Sequence, residues 1–293
     1  MIIHWIKASR LPAHMFIFPP LILGHALYAH AFGGLDALQV VLVHVAGLSL
    51  HLFIVYANDV ADYWSDKQND APTAFTGGSR VLIEERLTRR ALFSGAIVMA
   101  FVTIALASLL SFRIGSAWPI IFAVSGILLL QAYSFSPIKL SYRGFGESLQ
   151  MVGVGIVLPL FAFFSQGGVF ATLPWAPVLV LLPAQLALAV STALPDAPAD
   201  RRTGKRTSVV LFGVRSAGWL VVGLLGVSLI VLNVVLPVPI TVNALIIAVV
   251  LSVVLLRSSS LFRHRLVTFV GTAIVAVTVQ VLAASWVLWQ MPA

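Results

Sequence analysis

Asn58, Asp62 and Asp66 fall four residues apart where a long apolar run, Leu38 to Ala57, stops. On a helix, steps of four keep side chains on one face, drifting by about 40° per step. One amide and two carboxylates then point the same way at the end of a membrane-length segment. Hard oxygen donors of this kind suit Mg²⁺, which takes one or two carboxylates and fills its other positions with water and substrate phosphate. A second acidic pair, Asp196 and Asp200, has the same spacing and precedes Gly204-Lys205-Arg206-Thr207. Pro198 between them forbids a relaxed helix unless it lies in a first turn, so this pair is not assigned to a shared helical face. Two acid pairs at the ends of two apolar segments suggest a pseudo-repeat facing one cavity and holding two Mg²⁺ ions. A solvated pair of helix ends is the plainer alternative.

Cations and aromatic rings lie close to both pairs in sequence. The first loop runs from Asp70 to Arg80 and ends in Gly77-Gly78-Ser79-Arg80, a backbone, hydroxyl and guanidinium set able to hold a phosphate oxyanion. The second carries Tyr133, Lys139, Tyr142, Arg143 and Glu147. Arg80, Lys139, Arg143, Lys205 and Arg206 together could neutralise a diphosphate. Tyr133 and Tyr142 could shelter a carbocation. Glu147 enters an apolar segment, where an acid is costly unless paired or functional.

The elements that must position these groups are membrane helices. The chain has 293 residues, 60% hydrophobic and 10% charged, against about 25% charged in soluble domains. Nine apolar runs reach or approach the length of a span: Leu11–Phe32, Leu38–Ala57, Ala91–Phe112, Trp118–Phe135, Leu149–Phe164, Trp175–Leu194, Ala217–Leu236, Ile240–Leu256 and Leu266–Trp289. None alternates with period two, so the fold class expected is all-α: a polytopic membrane protein of about nine helices around a cavity, forming a single domain over residues 1–293. The first run continues past Pro19-Pro20 without a clear cleavage site, and reads as a retained span that is either kinked or starts late. His44 and His51 share the Asn58 face of the second run, as structural hydrogen bonders or as contacts to a polar substrate.

Of 18 Lys and Arg residues, all but Arg113 fall on one side of these nine spans. The positive-inside rule makes that side cytoplasmic, with the C-terminus opposite. The net charge of +8 is therefore a topology signal and does not indicate nucleic-acid binding. Nine of the ten acids share that side, Asp36 excepted. A reactive face opposite an inert one favours an enzyme over a transporter, which keeps polar groups at mid-membrane. Cysteine is absent, which excludes disulfides and thiolate chemistry.

A diphosphate head, a hydrocarbon tail and an aromatic acceptor fit these features together. At these residues the chain resembles the UbiA superfamily of intramembrane aromatic prenyltransferases. The N-x-x-x-D-x-x-x-D motif is matched by Asn58, Asp62 and Asp66. The D-x-x-x-D and G-K-R-T motif is matched by Asp196, Asp200, Gly204, Lys205, Arg206 and Thr207. The stretch from Tyr133 to Glu147 looks most like the MenA branch, which prenylates 1,4-dihydroxy-2-naphthoate in menaquinone biosynthesis. The resemblance implies a multi-pass protein of the cell (inner) membrane that transfers a polyprenyl group from its diphosphate to an aromatic acceptor. It further implies that Asn58, Asp62, Asp66, Asp196 and Asp200 hold Mg²⁺–diphosphate, with Arg80, Lys139, Lys205 and Arg206 as phosphate partners. Other members use 4-hydroxybenzoate, homogentisate, chlorophyllide or haem. One departure is Ala193, where the family often has Asn or Asp three residues before the second-motif Asp.

Overall fold

The computed structural model describes residues 1–70, 72–73 and 77–291. Ala71, Ala74, Phe75 and Thr76, part of the loop from Asp70 to Arg80, lie outside the described residues. The described residues form α1 (Ile2–Ala8), α2 (Phe18–Phe32), α3 (Ala37–Ala61), α4 (Tyr63–Lys67), α5 (Arg89–Ile114), α6 (Trp118–Ser134), α7 (Gly146–Val152), α8 (Leu158–Ser165), α9 (Trp175–Val180), α10 (Leu182–Ala193), α11 (Ala197–Thr203), α12 (Ser208–Val235), α13 (Ile240–Ser258) and α14 (Leu266–Gln290).

Each of the nine apolar runs is helical, and each boundary has a local cause. Asp36 caps α3 by accepting from the Gln39 amide at 3.0 Å, and Thr88 caps α5 by accepting from Ala91 at 3.1 Å. Gly33 and Gly115 end α2 and α5 in the left-handed region, where a side chain is disfavoured. Among the described residues, seven helices are long and apolar enough to cross a membrane. The segments Ile2–Phe16 and Phe18–Phe32 make an eighth if their 42° bend is one broken span. Trp118–Ser134 falls short at 17 residues. The prolines of the first run settle its form. Pro19 and Pro20 stand in the first turn of α2, where no amide is missed, and a 3₁₀ turn over Leu11–Phe16 precedes them. The run therefore has both features expected as alternatives: the α-helix starts late and the segment bends.

The core sits where α2, α3, α8, α10 and α14 meet, with Phe163, Phe164, Phe269 and Leu21 fully buried. By contrast α5, α12 and α13 turn most of their apolar surface outward, as helices against lipid do. Between α7 and α8 the helix widens into a π turn over Gly153–Val157, and π turns are rare and often sit at functional places. Here Gly153, Val154 and Val157 line a cavity of about 290 Å³.

Candidate active site

Both acidic segments are built alike. A helix ends at or shortly before an aspartate, and a short helix that this aspartate precedes carries the second aspartate one turn on. Asp62 ends α3 with φ −90° and ψ 8°, and Asp66 follows in α4. The helix therefore breaks within the first motif, yet the spacing survives. The Asp62 amide still donates to the Asn58 carbonyl at 2.8 Å, and Asp66 to Asp62 at 2.8 Å. Asp196 precedes α11, Asp200 lies in its first turn, and the Asp200 amide donates to the Asp196 carbonyl at 2.9 Å. Pro198 occupies the first turn of α11, the one helical place where it is tolerated.

The fold brings the two segments together. Asn58, Asp62, Asp66, Asp196 and Asp200 all line the cavity, as do Tyr133, Glu147 and Lys205. Lys205 Nζ donates to Asp62 Oδ2 at 2.8 Å and lies 3.9 Å from Asp200 Oδ1. Asn58 Nδ2 donates to the same Asp62 oxygen at 3.0 Å. In the reverse direction, Asn69 Nδ2 donates to Asp196 Oδ1 at 2.7 Å. Each segment thus supplies a donor to the other's first aspartate. Ser65 of α4 and Thr203 of α11 add a hydroxyl pair at 3.3 Å.

The charges are crowded and dry. Burial, then the charges of Asp62 and Asp59, push the Asp66 carboxyl up to about 8. Burial pushes Asp200 up to about 7, against the pull of Lys205. Burial works against the Lys205 ammonium, but Asp62 and its neighbours outweigh it and hold that group well above the ordinary lysine range. Such an excess of buried carboxylate is what a divalent cation relieves. Among the described residues, no three His, Asp or Glu side chains already form a ligand cage. The donor set still fits Mg²⁺, which is bound through one or two carboxylates plus substrate phosphate and keeps several waters.

The glycine loop is shaped by the first segment. Gly77 and Gly78 line the cavity. Gly78 has φ 69°, and a Cβ there would overlap the Asp66 carboxylate, so glycine is required twice over. Buried Asp59 accepts from the Ser79 amide at 3.2 Å and from the Ser79 hydroxyl, and faces Arg10 at 3.8 Å. Arg80, expected as a phosphate partner, donates instead to the backbone carbonyls of Asp66 at 2.6 Å and Asn69 at 3.4 Å.

Other expected partners also sit off the wall. Arg143 is exposed and donates to the Pro137 carbonyl at 3.0 Å, closing its own loop. The Arg206 side chain is exposed, and its amide bonds the Ser141 carbonyl at 3.4 Å. The Lys139 ammonium lies over the Tyr142 ring at 3.8 Å, behind Lys205, which is 5.9 Å from the same ring. Tyr142 therefore serves as a cation platform beside the cavity. Glu147 proves paired: its Oε1 accepts from the Ser208 amide at 2.6 Å, at the positive N-terminus of α12. Sequence reasoning passed over Asn69, Arg10 and the Asp59–Ser79 lock. The only signal for Asn69 was its place three residues after Asp66.

The profile of the UbiA prenyltransferase family matches residues 17–268 of this chain. A chloroplast chlorophyll synthase from Oryza sativa subsp. japonica is 27% identical over 223 residues, 72% of this chain and 56% of that protein. The chain thus spans little more than half the length of this curated relative. A UbiA homologue from Archaeoglobus fulgidus, solved with DMAPP and Mg²⁺, has a TM-score of 0.68 at 15% identity and covers 96% of this chain and 99% of its own. A UbiA homologue from Aeropyrum pernix K1 has a TM-score of 0.69 at 14% identity, covering 93% and 96%. At that identity the two structures establish a shared fold.

Proposed function

The chain belongs to the UbiA prenyltransferase family, and from that premise we propose that it transfers a polyprenyl group from its diphosphate to an aromatic acceptor, with Mg²⁺ as cofactor. The observation that carries this reading is the exchange of donors between the two segments, Lys205 to Asp62 and Asn69 to Asp196, at the head of an apolar cavity. The archaeal relative's structure with DMAPP and Mg²⁺ supports the cofactor and the substrate class.

Asn58, Asp62, Asp66, Asp196 and Asp200 would hold the metal, as two ions. Held by these residues, Mg²⁺ would supply charge neutralisation for the leaving diphosphate. Lys205, buried and paired with Asp62 and Asp200, is a cation at the same end of the cavity. Charge fixed in a dry site stabilises the separating diphosphate without reorganisation. Tyr133 and the apolar wall of Leu130, Val154 and Val157 would shelter the allylic cation from water.

For the acceptor we propose 1,4-dihydroxy-2-naphthoate, hence a step of menaquinone biosynthesis. The stretch from Tyr133 to Glu147, which resembles the MenA branch, supports this reading. A chlorophyllide acceptor is the second reading, favoured by the rice relative. We place the site at the cytoplasmic face of the cell (inner) membrane, with the N-terminus on that side and the C-terminus opposite, from the bias of the basic loops. The test is an acceptor panel with geranylgeranyl diphosphate and Mg²⁺, read by product mass. Prenylated naphthoate is expected, and no prenylated product with any acceptor rejects the proposal.

A further inference from the structure

A second buried cation lies away from the cavity, where α12, α13 and the turn before α14 meet. Arg257 stands in the last turn of α13 and is only 7% exposed. Its Nε and Nη2 donate to the Arg215 carbonyl at 3.0 and 2.7 Å. Its guanidinium lies 4.7 Å from the centre of the Trp219 ring and 4.7 Å from that of Phe262. Gly218 makes room for this seat: a Cβ there would come within 2.7 Å of the Arg257 Cδ and of the Phe262 ring. A covered guanidinium is ordinarily paired with a carboxylate. Arg257 is not, and among the described residues no acid forms an ion pair with Arg215, Arg263 or Arg265. The remaining nitrogen, Nη1, has no hydrogen-bond partner among the described residues, yet it is not sealed off from the surroundings.

This seat is at the acidic end of the bundle, since α12 starts three residues after Lys205 and carries Arg215 seven residues further on. Arg263, His264 and Arg265 continue from Phe262 on one 3₁₀ turn, and all three are exposed. Four arginines with no acid paired to them thus gather at one corner. Bare hydrocarbon flanks them. α12 breaks at Gly213, with φ 82° and ψ 153°, a backbone state essentially confined to glycine. Leu211 and Phe212, just before the break, are 50% and 63% exposed, and Leu255 of α13 is 71% exposed. Basic pockets between membrane helices bind the head groups of anionic lipids. A free phosphate would use the arginines and leave the apolar flank without a purpose.

We propose that Arg215, Arg257, Arg263 and Arg265 form a binding site for the phosphodiester of an anionic phospholipid, in the leaflet on the acidic side. Arg257 is the fixed donor, because two rings and the Arg215 carbonyl hold its guanidinium and leave Nη1 for a phosphate oxygen. The exposed arginines add charge around it, and the acyl chains lie along the bare faces of α12 and α13.

The full-length protein in uncharged detergent tests this by native mass spectrometry, with phosphatidylglycerol and phosphatidylcholine of the same chain length in equal amounts. The wild type should retain one phosphatidylglycerol and prefer it by at least about 10²-fold, the combined worth of a charge-assisted hydrogen bond and several surface cations. Arg257→Gln should lose at least about tenfold of that preference. Arg215→Gln, and Arg263→Gln with Arg265→Gln, change exposed side chains and should lose about fivefold for each arginine removed. Arg90→Gln removes another exposed arginine at the same end of the bundle and should change nothing. Absence of a preference in the wild type, or an undiminished one in folded Arg257→Gln, overturns the proposal. If Arg257→Gln does not fold, the exposed variants decide, and full preference in all of them overturns it. An equal loss in Arg90→Gln would reduce the effect to net charge and overturn it too. Inorganic phosphate without lipid should not raise the unfolding temperature. A rise that Arg257→Gln abolishes would make the ligand a free phosphate and overturn the lipid.

Discussion

The two acidic segments share a frame and differ in what balances their charge. Each has a span, an aspartate at the break, and a short helix with a second aspartate one turn later. The first is closed by a backbone loop, in which Gly78 presses on Asp66 and Ser79 is bound by Asp59. The second needs no such cover; Gly204 ends α11 with open space around it. Instead it supplies the buried cation, Lys205. Neither segment is complete alone, since each positions a carboxylate of the other. A shared frame with exchanged donors makes the joint between the halves the part on which chemistry depends.

The harshest way to break this symmetry is to remove either first aspartate. Asp62→Ala and Asp196→Ala should each reduce Mg²⁺-dependent transfer by at least about 10²–10³-fold, by loss of charge-stabilising contacts, while the protein still inserts in membranes. Full activity in both would reject the assignments. Next in size is Lys205→Met. It strands Asp62 and Asp200 in a dry site, and removing one partner of a buried ion pair costs about 3–5 kcal/mol. Thermal unfolding without Mg²⁺ should show that loss, and Mg²⁺ with pyrophosphate should recover part of it.

A pair of glycines sharpens the contrast between covered and open segments. Gly78→Ala meets both a left-handed backbone and the Asp66 carboxylate, so it should cost about 3 kcal/mol or more and lower the apparent Mg²⁺ affinity. Gly204→Ala meets only the backbone penalty, about 1 kcal/mol, and equal effects on metal affinity would erase the distinction drawn between the loops. A further effect is on pH. In the metal-free protein Asp66 titrates at about 8 and Asp200 at about 7. Both folded values are raised above the unfolded value of 3.8, so the folded state binds more protons and metal-free stability falls as pH rises from about 4 to 8. Mg²⁺ must displace those protons, so its affinity should rise from pH 6 to pH 8, as isothermal titration with pyrophosphate would reveal.

Much of this site could be read from the sequence because acids at the ends of apolar runs are expensive and therefore conspicuous. Asp62, Asp66, Asp196 and Asp200 announce themselves in that way, and Asn58 and Lys205 follow from their spacing to them. Asn69 does not, being uncharged and in a loop; only three-dimensional closure brings it to Asp196. Nor does sequence tell which basic side chains turn inward. Arg143 and Arg206 stand beside the site residues along the chain, yet both side chains are exposed, because loop geometry rather than composition sets their direction. The break at Asp62 was also hidden, since the four-residue spacing is the same whether or not the helix is continuous, whereas the break before α11 was signalled by Pro198, which a helix accepts only in its first turn. The bend of the first span was visible in its prolines, but their harmless place in the first turn of α2 depended on a start at Phe18 that apolarity does not mark.

The π turn at Gly153–Val157 carries a further consequence. A wide turn holds an extra residue without lengthening the helix as a whole. Deleting one residue there would close the wide turn into a regular ladder and leave Leu158–Ser165 facing as before. Phe163 and Phe164, which have no exposed surface, would stay in the core, while the wall formed by Gly153, Val154 and Val157 would change shape. That stretch stores its information as a count, and a chain of nearly the same composition with one residue fewer would enclose a different hollow.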